Sequence, residues 1–333
     1  MSDVLTLRPL LDADLPALPD LLNQAFASHD ETQWYAPELL ASAWQWEWQA
    51  ARLSLAAEVN GQLVGATLVA LRRALHQGEP LLLAHVGPVA VSAQAQGQGL
   101  GTQMLAAVEA AARAAGADLL TLGTEERFPA HRLYRRLGYR VVERSRTAIA
   151  LLDGRRAAQA LGKPWLGGLL ALLESRGKPD AQVQFHDGAD ALPELRAQTP
   201  PRANALVELP LGPRPPMAQF PGFVAQCQDA ALGLLTWPVI ARPAGREVTM
   251  RVVQVLWSSG AGPALAKATV AALARAREEG AASAFALAGS ARRVPGLLLP
   301  GGPRVLRMAK GISAAGERQL AAMQAWDEWA PGP

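Results

Sequence analysis

Gln96-Gly97-Gln98-Gly99-Leu100-Gly101 is the stretch around which the chain is organised. A short apolar run at 81–91, rich in valine, precedes this stretch and is typical of a strand. The alanine-rich residues 102–113 follow it, with their larger apolar side chains at helical spacing. The glycines therefore lie between the end of a strand and the start of a helix. There, backbone N–H groups and the positive end of the helix suit a phosphate group.

Two general phosphate-binding patterns share this strand-to-helix geometry. A P-loop is excluded because no Gly-Lys-Ser/Thr follows the glycines. A dinucleotide-binding turn belongs early in a βαβ unit, with an acidic residue at the end of the next strand. Here the turn comes after a predicted hairpin, although Glu125 and Glu126 stand near the end of the next predicted strand. The turn alone therefore does not decide whether the ligand is a dinucleotide.

The deciding motif is Ala130-His131-Arg132-Leu133-Tyr134-Arg135-Arg136-Leu137-Gly138-Tyr139, which follows a predicted strand at 119–122. Together, the Val-Ala-Val segment at 89–91, the glycine turn and this tyrosine motif resemble the GNAT family of acetyl-CoA-dependent N-acyltransferases. The resemblance covers roughly residues 4–150. It implies an α/β fold, with a mixed, mostly antiparallel sheet flanked by helices.

The resemblance also implies how the acyl donor, acetyl-CoA, binds. The backbone of Val89, Ala90 and Val91 is expected to pair with the pantetheine arm. Backbone N–H groups of the turn are expected to bind the pyrophosphate; they belong to Gln96, Gly97, Gln98, Gly99, Leu100, Gly101 and Thr102. No metal is expected.

Tyr134 corresponds to the tyrosine that faces the leaving thiolate in the family. A phenol with a pKa of about 10 can protonate or hydrogen-bond a thiolate with a pKa of about 8.5. A packing role for this aromatic side chain is the alternative. Arg127 stands seven positions before Tyr134, where family members often have asparagine, so the usual contact at that position is not predicted here.

The general base is left open by the sequence. His85 lies on the strand before the turn and has the same parity as Val89 and Val91, which predicts that these side chains share a face. Its ordinary pKa of about 6.5 suits a base, but a buried histidine with satisfied hydrogen bonds is an equal alternative. Glu125, Glu126 and a chain of waters are the other candidates.

Aromatic residues cluster where the resemblance places the acceptor amine. They are Trp34, Tyr35, Trp44, Trp46 and Trp48, the last three on a helix predicted over 37–50. An aromatic wall could bind an apolar or cationic acceptor. Packing in the core is favoured, because large apolar side chains on a helix usually face inward.

The second half of the sequence repeats the first. Residues 57–65 match 225–233 in length and in both end residues, around the hairpin signal Asn60-Gly61. We therefore predict a GNAT domain at 1–152, a linker helix within 153–180 and a degenerate GNAT-like domain at 181–333.

The second copy lacks the glycine and tyrosine motifs of the first. Its turn, Ser258-Ser259-Gly260-Ala261-Gly262-Pro263, retains two glycines, and Pro263 has no N–H group. All three tyrosines, Tyr35, Tyr134 and Tyr139, lie in the first copy. The second copy is expected to shape a groove, cap a substrate site or form a dimer.

Composition and charge argue against disulfide, membrane and nucleic-acid-binding features. Cys227 is the one cysteine among 333 residues, so no intrachain disulfide forms, and we predict a packing role for it. The N-terminus has no signal-peptide pattern and no apolar run reaches membrane-spanning length, which predicts a cytoplasmic protein without a membrane partner. Residues 1–150 carry a net charge of −3 and the remainder +6, without a dense basic run, so nucleic-acid binding is not expected.

Three functions fit these features. The main prediction is transfer of an acetyl group from acetyl-CoA to a primary amine, on a small molecule or a peptide, by direct attack in a ternary complex. The alternative is a non-catalytic CoA-binding sensor or interaction protein on the same fold. A third is a protein N-acetyltransferase whose basic second half docks an acidic polypeptide. A homodimer is compatible with each of these functions.

Overall fold

The computed structural model describes residues 5–27, 32–33, 37, 40–41, 44, 52–174, 180–187, 204–209, 222–241, 246, 248–259, 262–286 and 299–327. The strands are β1 (Leu5–Pro9), β2 (Thr32–Gln33), β3 (Leu55–Val59), β4 (Gln62–His76), β5 (Glu79–Val91), β6 (Leu119–Glu125), β7 (Arg140–Leu151), β8 (Gln184–Asp187), β9 (Ala205–Leu209), β10 (Gly222–Cys227), β11 (Ala230–Ala241), β12 (Val248–Ser259), β13 (Ala281–Ala286), β14 (Leu299–Gly311) and β15 (Ala325–Asp327). The described helices are α1 (Leu18–Phe26), α2 (Leu100–Ala114), α3 (Ala130–Arg136), α4 (Gly154–Ala160), α5 (Gly167–Leu172), α6 (Gly262–Glu278) and α7 (Ala314–Ala322). None of them is long and apolar enough to span a bilayer.

The two halves of the chain repeat one topology. In the first, β1 pairs with β3, β3 with β4 and β4 with β5, all antiparallel, and α2 leads to β6, which is parallel to β5. In the second, β8, β10, β11, β12, α6 and β13 make the same pairings in the same order. The predicted internal repeat and α/β fold class are confirmed.

The two copies exchange strands at the centre of the molecule. The strand order is β1-β3-β4-β5-β6-β14-β7-β13-β12-β11-β10-β8. Counted inward from β1 or from β8, equivalent strands of the two copies follow one another in the same order. β14, from the end of the chain, lies between β6 and β7, and β7 lies between β14 and β13. Residues 299–311 therefore complete the sheet of the first copy. The boundaries at 152 and 181 stay a prediction, because hydrogen bonding between strands continues across them.

The segment between the copies contains more helix than predicted. The sequence predicts one linker helix within 153–180, whereas the structure has α4 and then a 3₁₀ turn at Pro164–Leu166 that leads into α5. Asp153 caps α4 by accepting a hydrogen bond from the backbone N–H of Arg156 at 2.9 Å. An aspartate before a run of helix-forming residues was the available signal for α4.

The sheet of the first copy has two differently covered faces. The α2 face carries α2 and α3, and its core includes Ala84, Val86, Leu105, Val108, Leu120, Leu122, Tyr134, Tyr139, Leu306 and Met308. The opposite α1 face carries two apolar clusters. One packs α1 against β4 through Leu18, Leu22, Leu68 and Ala70. The other packs α7 against the sheet through Leu83, Leu119, Ala309 and Leu320.

The start of α7 holds β5 and β6 together. The Oγ of Ser313 accepts from the N–H of Gly316 at 3.0 Å and donates to Oδ1 of Asp118 at 2.6 Å. Oδ2 of Asp118 accepts from the N–H of Leu82 on β5 at 3.0 Å. Asp118, directly before β6, is thus bonded both to β5 and to the start of the last described helix of the second copy.

This junction leaves no room for a side chain at Gly316. A Cβ there would lie 2.0 Å from the backbone oxygen of Asp118. We expect Gly316→Ala to lower the free energy of unfolding by about 2–3 kcal/mol, because the contact forces backbone to move. Thermal unfolding followed by calorimetry measures the change. The control is Gly168→Ala in α5, where a Cβ meets nothing within 4 Å and Tm should stay constant or rise. Equal Tm values for the two variants would contradict the described junction.

Candidate active site

Parallel strands β5 and β6 separate near the glycine turn. Three residue pairs join them, ending at His85 opposite Thr121. Beyond that pair, β5 continues to Val91, paired with β4 alone, and β6 continues to Glu125, paired with β14. The backbone of residues 86–91 therefore faces an opening instead of a neighbouring strand. Such an edge can pair with an extended group that carries amides.

A β-bulge lies at the start of this opening. Thr67 is opposite Val89 and Val69 is opposite Val86, so Gly87 and Pro88 together face one residue of β4. The extra residue reverses the alternation of side chains along β5.

The prediction that His85 shares a face with Val89 and Val91 is therefore wrong. His85 is opposite Ala70, which belongs to the α1 face, whereas Val89 packs in the core of the α2 face. A glycine followed by proline inside a strand was the signal for a bulge that simple parity ignored.

The glycine turn presents a row of backbone donors. Gly97 and Gly99 have φ angles of +78° and +79°, in the left-handed region that favours glycine. The N–H groups of Thr102 and Gln103 donate to the carbonyl of Gly99 at 3.0 and 3.1 Å. Within residues 79–125, no backbone carbonyl accepts from the N–H groups of 97–101. This arrangement fits an anionic group at the start of α2.

Two glutamine side chains stabilise the turn through hydrogen bonds to backbone carbonyls that precede it. Nε2 of Gln96 donates to the carbonyl of Val91 at 3.0 Å, and Nε2 of Gln98 donates to the carbonyl of Gln94 at 3.2 Å. A Cβ added at Gly101 would lie 3.7 Å from Leu133 of α3. The first turn of α2 therefore packs beside the helix that carries Tyr134.

Tyr134 is buried, with 8% of its surface exposed, on the α2 face. Burial raises the pKa of its phenol to about 12. Its ring lies 5.8 Å from that of Tyr139, whose pKa is also raised by burial. Because the folded pKa exceeds the ordinary value of about 10, the phenol of Tyr134 stays protonated at neutral pH and remains a hydrogen-bond donor.

His85 is buried on the other side of the opening. Its Nδ1 lies 3.2 Å from Oγ1 of Thr121. Burial, followed by the charges of Arg72 and Arg307, holds the pKa of the imidazole well below its usual value. His85 is therefore neutral at physiological pH and binds a proton weakly. His85 and Tyr134 face opposite sides of the sheet, with the opening between them.

Glu125 lies at the outer end of β6. Its carboxylate pairs with Nε of Arg127 at 2.5 Å, and 27% of its side chain is exposed. Arg127 also stacks over Phe128, at 4.8 Å from the ring centroid. The arginine that replaces the usual asparagine therefore engages this edge of the sheet.

Two arginines near His85 were missed by the sequence reasoning. Arg72 and Arg307 are buried on β4 and β14, and both charges act on the His85 imidazole. They stand far apart in sequence and come from different copies, so spacing could not connect them. An arginine inside an apolar strand, as in Val305-Leu306-Arg307-Met308, was the available signal.

Among the clustered aromatic residues near the predicted acceptor site, the structure describes Trp44. Trp44 is buried with α1, and its Nε1 donates to Oδ1 of Asp12 at 2.7 Å, so the packing interpretation holds there. Trp34, Tyr35, Trp46 and Trp48 lie outside the described residues.

Cys227 is buried in the core of the second copy. In the described part of the chain, no group of three His, Cys, Asp or Glu side chains could hold a metal ion.

Comparison with known proteins assigns the first copy. The sequence model of the acetyltransferase (GNAT) family matches residues 21–139. This part of the chain is a GNAT domain. The match and the repeated topology make the protein a tandem pair of GNAT-like folds, and the family supports acyl-CoA-dependent acyl transfer as its chemistry. No curated protein matches the sequence.

Solved structures share the fold over most of the chain. N-myristoyltransferase from Saccharomyces cerevisiae with bound myristoyl-CoA has a TM-score of 0.67 at 10% identity, covering 92% of this chain and 82% of its own. A GCN5-related N-acetyltransferase from Kribbella flavida has a TM-score of 0.55 at 17% identity, covering 94% and 72%. Eis1 from Mycobacterium abscessus has a TM-score of 0.51 at 16% identity, covering 96% and 76%.

Proposed function

We propose that the first copy transfers an acetyl group from acetyl-CoA to a primary amine by direct attack in a ternary complex. The observation that carries this proposal is the separation of β5 and β6 at His85 and Thr121, directly before the glycine turn. The backbone of 89–91 would pair with the pantetheine arm, and the N–H groups of 97–101 would bind the pyrophosphate. The expected contribution of Gln96 and Thr102 is not proposed, because their N–H groups donate to the carbonyls of Ser92 and Gly99. The thioester would then lie in the opening between the strands.

The acceptor would approach from the α1 face. Freeing the lone pair of a lysine-like amine at neutral pH costs about 4–5 kcal/mol. Its nitrogen attacks the thioester carbon, the carbon–sulfur bond breaks, and the electron pair leaves on sulfur. The phenol of Tyr134, on the α2 face, donates its proton or a hydrogen bond to this sulfur.

The proton from the amine needs a separate acceptor. The lowered pKa of His85 makes it a poor final acceptor, although neutral imidazole can accept a hydrogen bond that orients the amine. We assign proton release to water at the outer end of β6, where the side chain of Glu125 is partly exposed.

Release of free thiol from acetyl-CoA over a panel of primary amines tests the proposal. We expect thiol release to require the amine, to yield one N-acetyl product per thiol, and to give intersecting initial-rate lines that indicate a ternary complex. Parallel lines would replace direct attack with an acyl-enzyme. Tight acetyl-CoA binding without turnover on a broad panel would favour the sensor alternative.

A further inference from the structure

A polar strip crosses the α1 face beside the opening. It lies between the apolar cluster under α1 and the one under α7, and its buried members are Arg72, His85, Thr121 and Arg307. They come from β4, β5, β6 and β14, which are neighbours in the sheet. Arginine is rarely buried in a core, and a buried guanidinium pairs with carboxylates or other hydrogen-bond acceptors around it.

Arg72 pairs with a carboxylate from the second half. Its Nη1 lies 3.0 Å from Oε2 of Glu208 on β9, and both side chains are almost fully buried. β9 pairs with β4 directly alongside this contact. The charge of Arg72 is thus balanced inside the protein.

Arg307 lies next to open space. It is in register with Glu143 of β7 on one side and with Gly123 of β6 on the other. Gly123 is exposed, and a Cβ built there meets nothing within 4 Å. The guanidinium of arginine has five donors in a planar fork, so it can serve a neighbour and a ligand together.

The open space lies where an acceptor must arrive. Gly123 is two residues beyond Thr121, the last residue of β6 that pairs with β5. A molecule over Gly123 therefore has Arg307 on one side and the opening between β5 and β6 on the other. β14 and β5 are separated by one strand, which is about 10 Å between their backbones. A small amino acid or its longer homologue spans part of this distance.

We propose that the acceptor amine carries a carboxylate, and that Arg307 binds this carboxylate over Gly123 while the amine faces the opening. The proposal rests on the proposed acyl transfer and specifies its substrate class. A guanidinium matches a carboxylate with two parallel hydrogen bonds, and this geometry is stronger than a contact between neutral groups. The residue comes from β14, so the second copy supplies acceptor recognition to the active site of the first.

Matched amines that differ in one carboxylate test the proposal. The pairs are phenylalanine with phenethylamine and 4-aminobutyrate with propylamine, each assayed for kcat/KM with acetyl-CoA. We expect the wild type to prefer the carboxylated member of at least one pair by 10-fold or more. Arg307→Gln should reduce this preference to below about 3-fold, and Arg307→Lys should keep part of it.

A second variant keeps Arg307 and tests the proposal even where the Arg307 variants misfold. Gly123→Val fills the open space and should raise KM for the carboxylated amine while the Kd for acetyl-CoA stays constant. Turnover of plain amines with no preference for a carboxylate, or a preference that survives Arg307→Gln, would overturn this inference and leave the proposed function intact. No turnover of either member would overturn both.

Discussion

Replacing Tyr134 with phenylalanine is expected to lower kcat by about 100-fold, with the Kd for acetyl-CoA unchanged. The substitution removes one oxygen from a buried ring and leaves its packing in the α2-face core. In the proposed mechanism that oxygen acts when the carbon–sulfur bond breaks, so its loss should affect the transition state and spare binding of the donor.

Tyr139 provides the matched control. It is buried beside Tyr134, at a ring separation of 5.8 Å, and in the described structure its hydroxyl has no hydrogen-bond partner. Removal of a buried, unbonded hydroxyl should leave stability equal or slightly higher. We expect Tyr139→Phe to retain kcat within about 3-fold. Single-turnover rates for the two variants separate chemistry from product release. Equal rates would mean that Tyr134 serves packing alone.

Local sequence signals were sufficient for the hairpin at Asn60-Gly61 and for the glycine turn with the helix that follows it. The Asn60-Gly61 turn, the glycines before α2 and the alanine-rich helix each specify their structure over a few residues, and the structure contains all of them. The internal repeat was also visible, because the hairpins at 57–65 and 225–233 keep the same length.

Features set by contacts between distant residues could not be derived in this way. The insertion of β14 between β6 and β7 joins residues that are far apart in the chain, and no local pattern in 299–311 identifies its neighbours. The same exchange brings Arg307 to the site of the first copy. The bulge at Gly87 and Pro88 had a local signal, but its effect on which face His85 occupies required the register with β4.

In the proposed function, the second copy contributes structure and acceptor specificity and has no donor site of its own. Its turn carries Pro263 at the start of α6, while β14 and α7 complete the first sheet and fix Asp118. This division would account for the single set of glycine and tyrosine motifs in a fold that occurs twice.

Binding of acetyl-CoA by calorimetry, with wild type and Gly97→Ala/Gly99→Ala compared, tests the central claim that the glycine turn holds the donor. Each alanine in a left-handed conformation costs about 1–2 kcal/mol, and a bound pyrophosphate would require both strained residues at once. The control is Gly61→Ala/Gly262→Ala, which places alanine at φ angles of +79° and +66° with the same open space around each Cβ. We predict Kd weakened about 100-fold in the first variant and unchanged in the control. Equal affinities for both variants and the wild type would contradict the account.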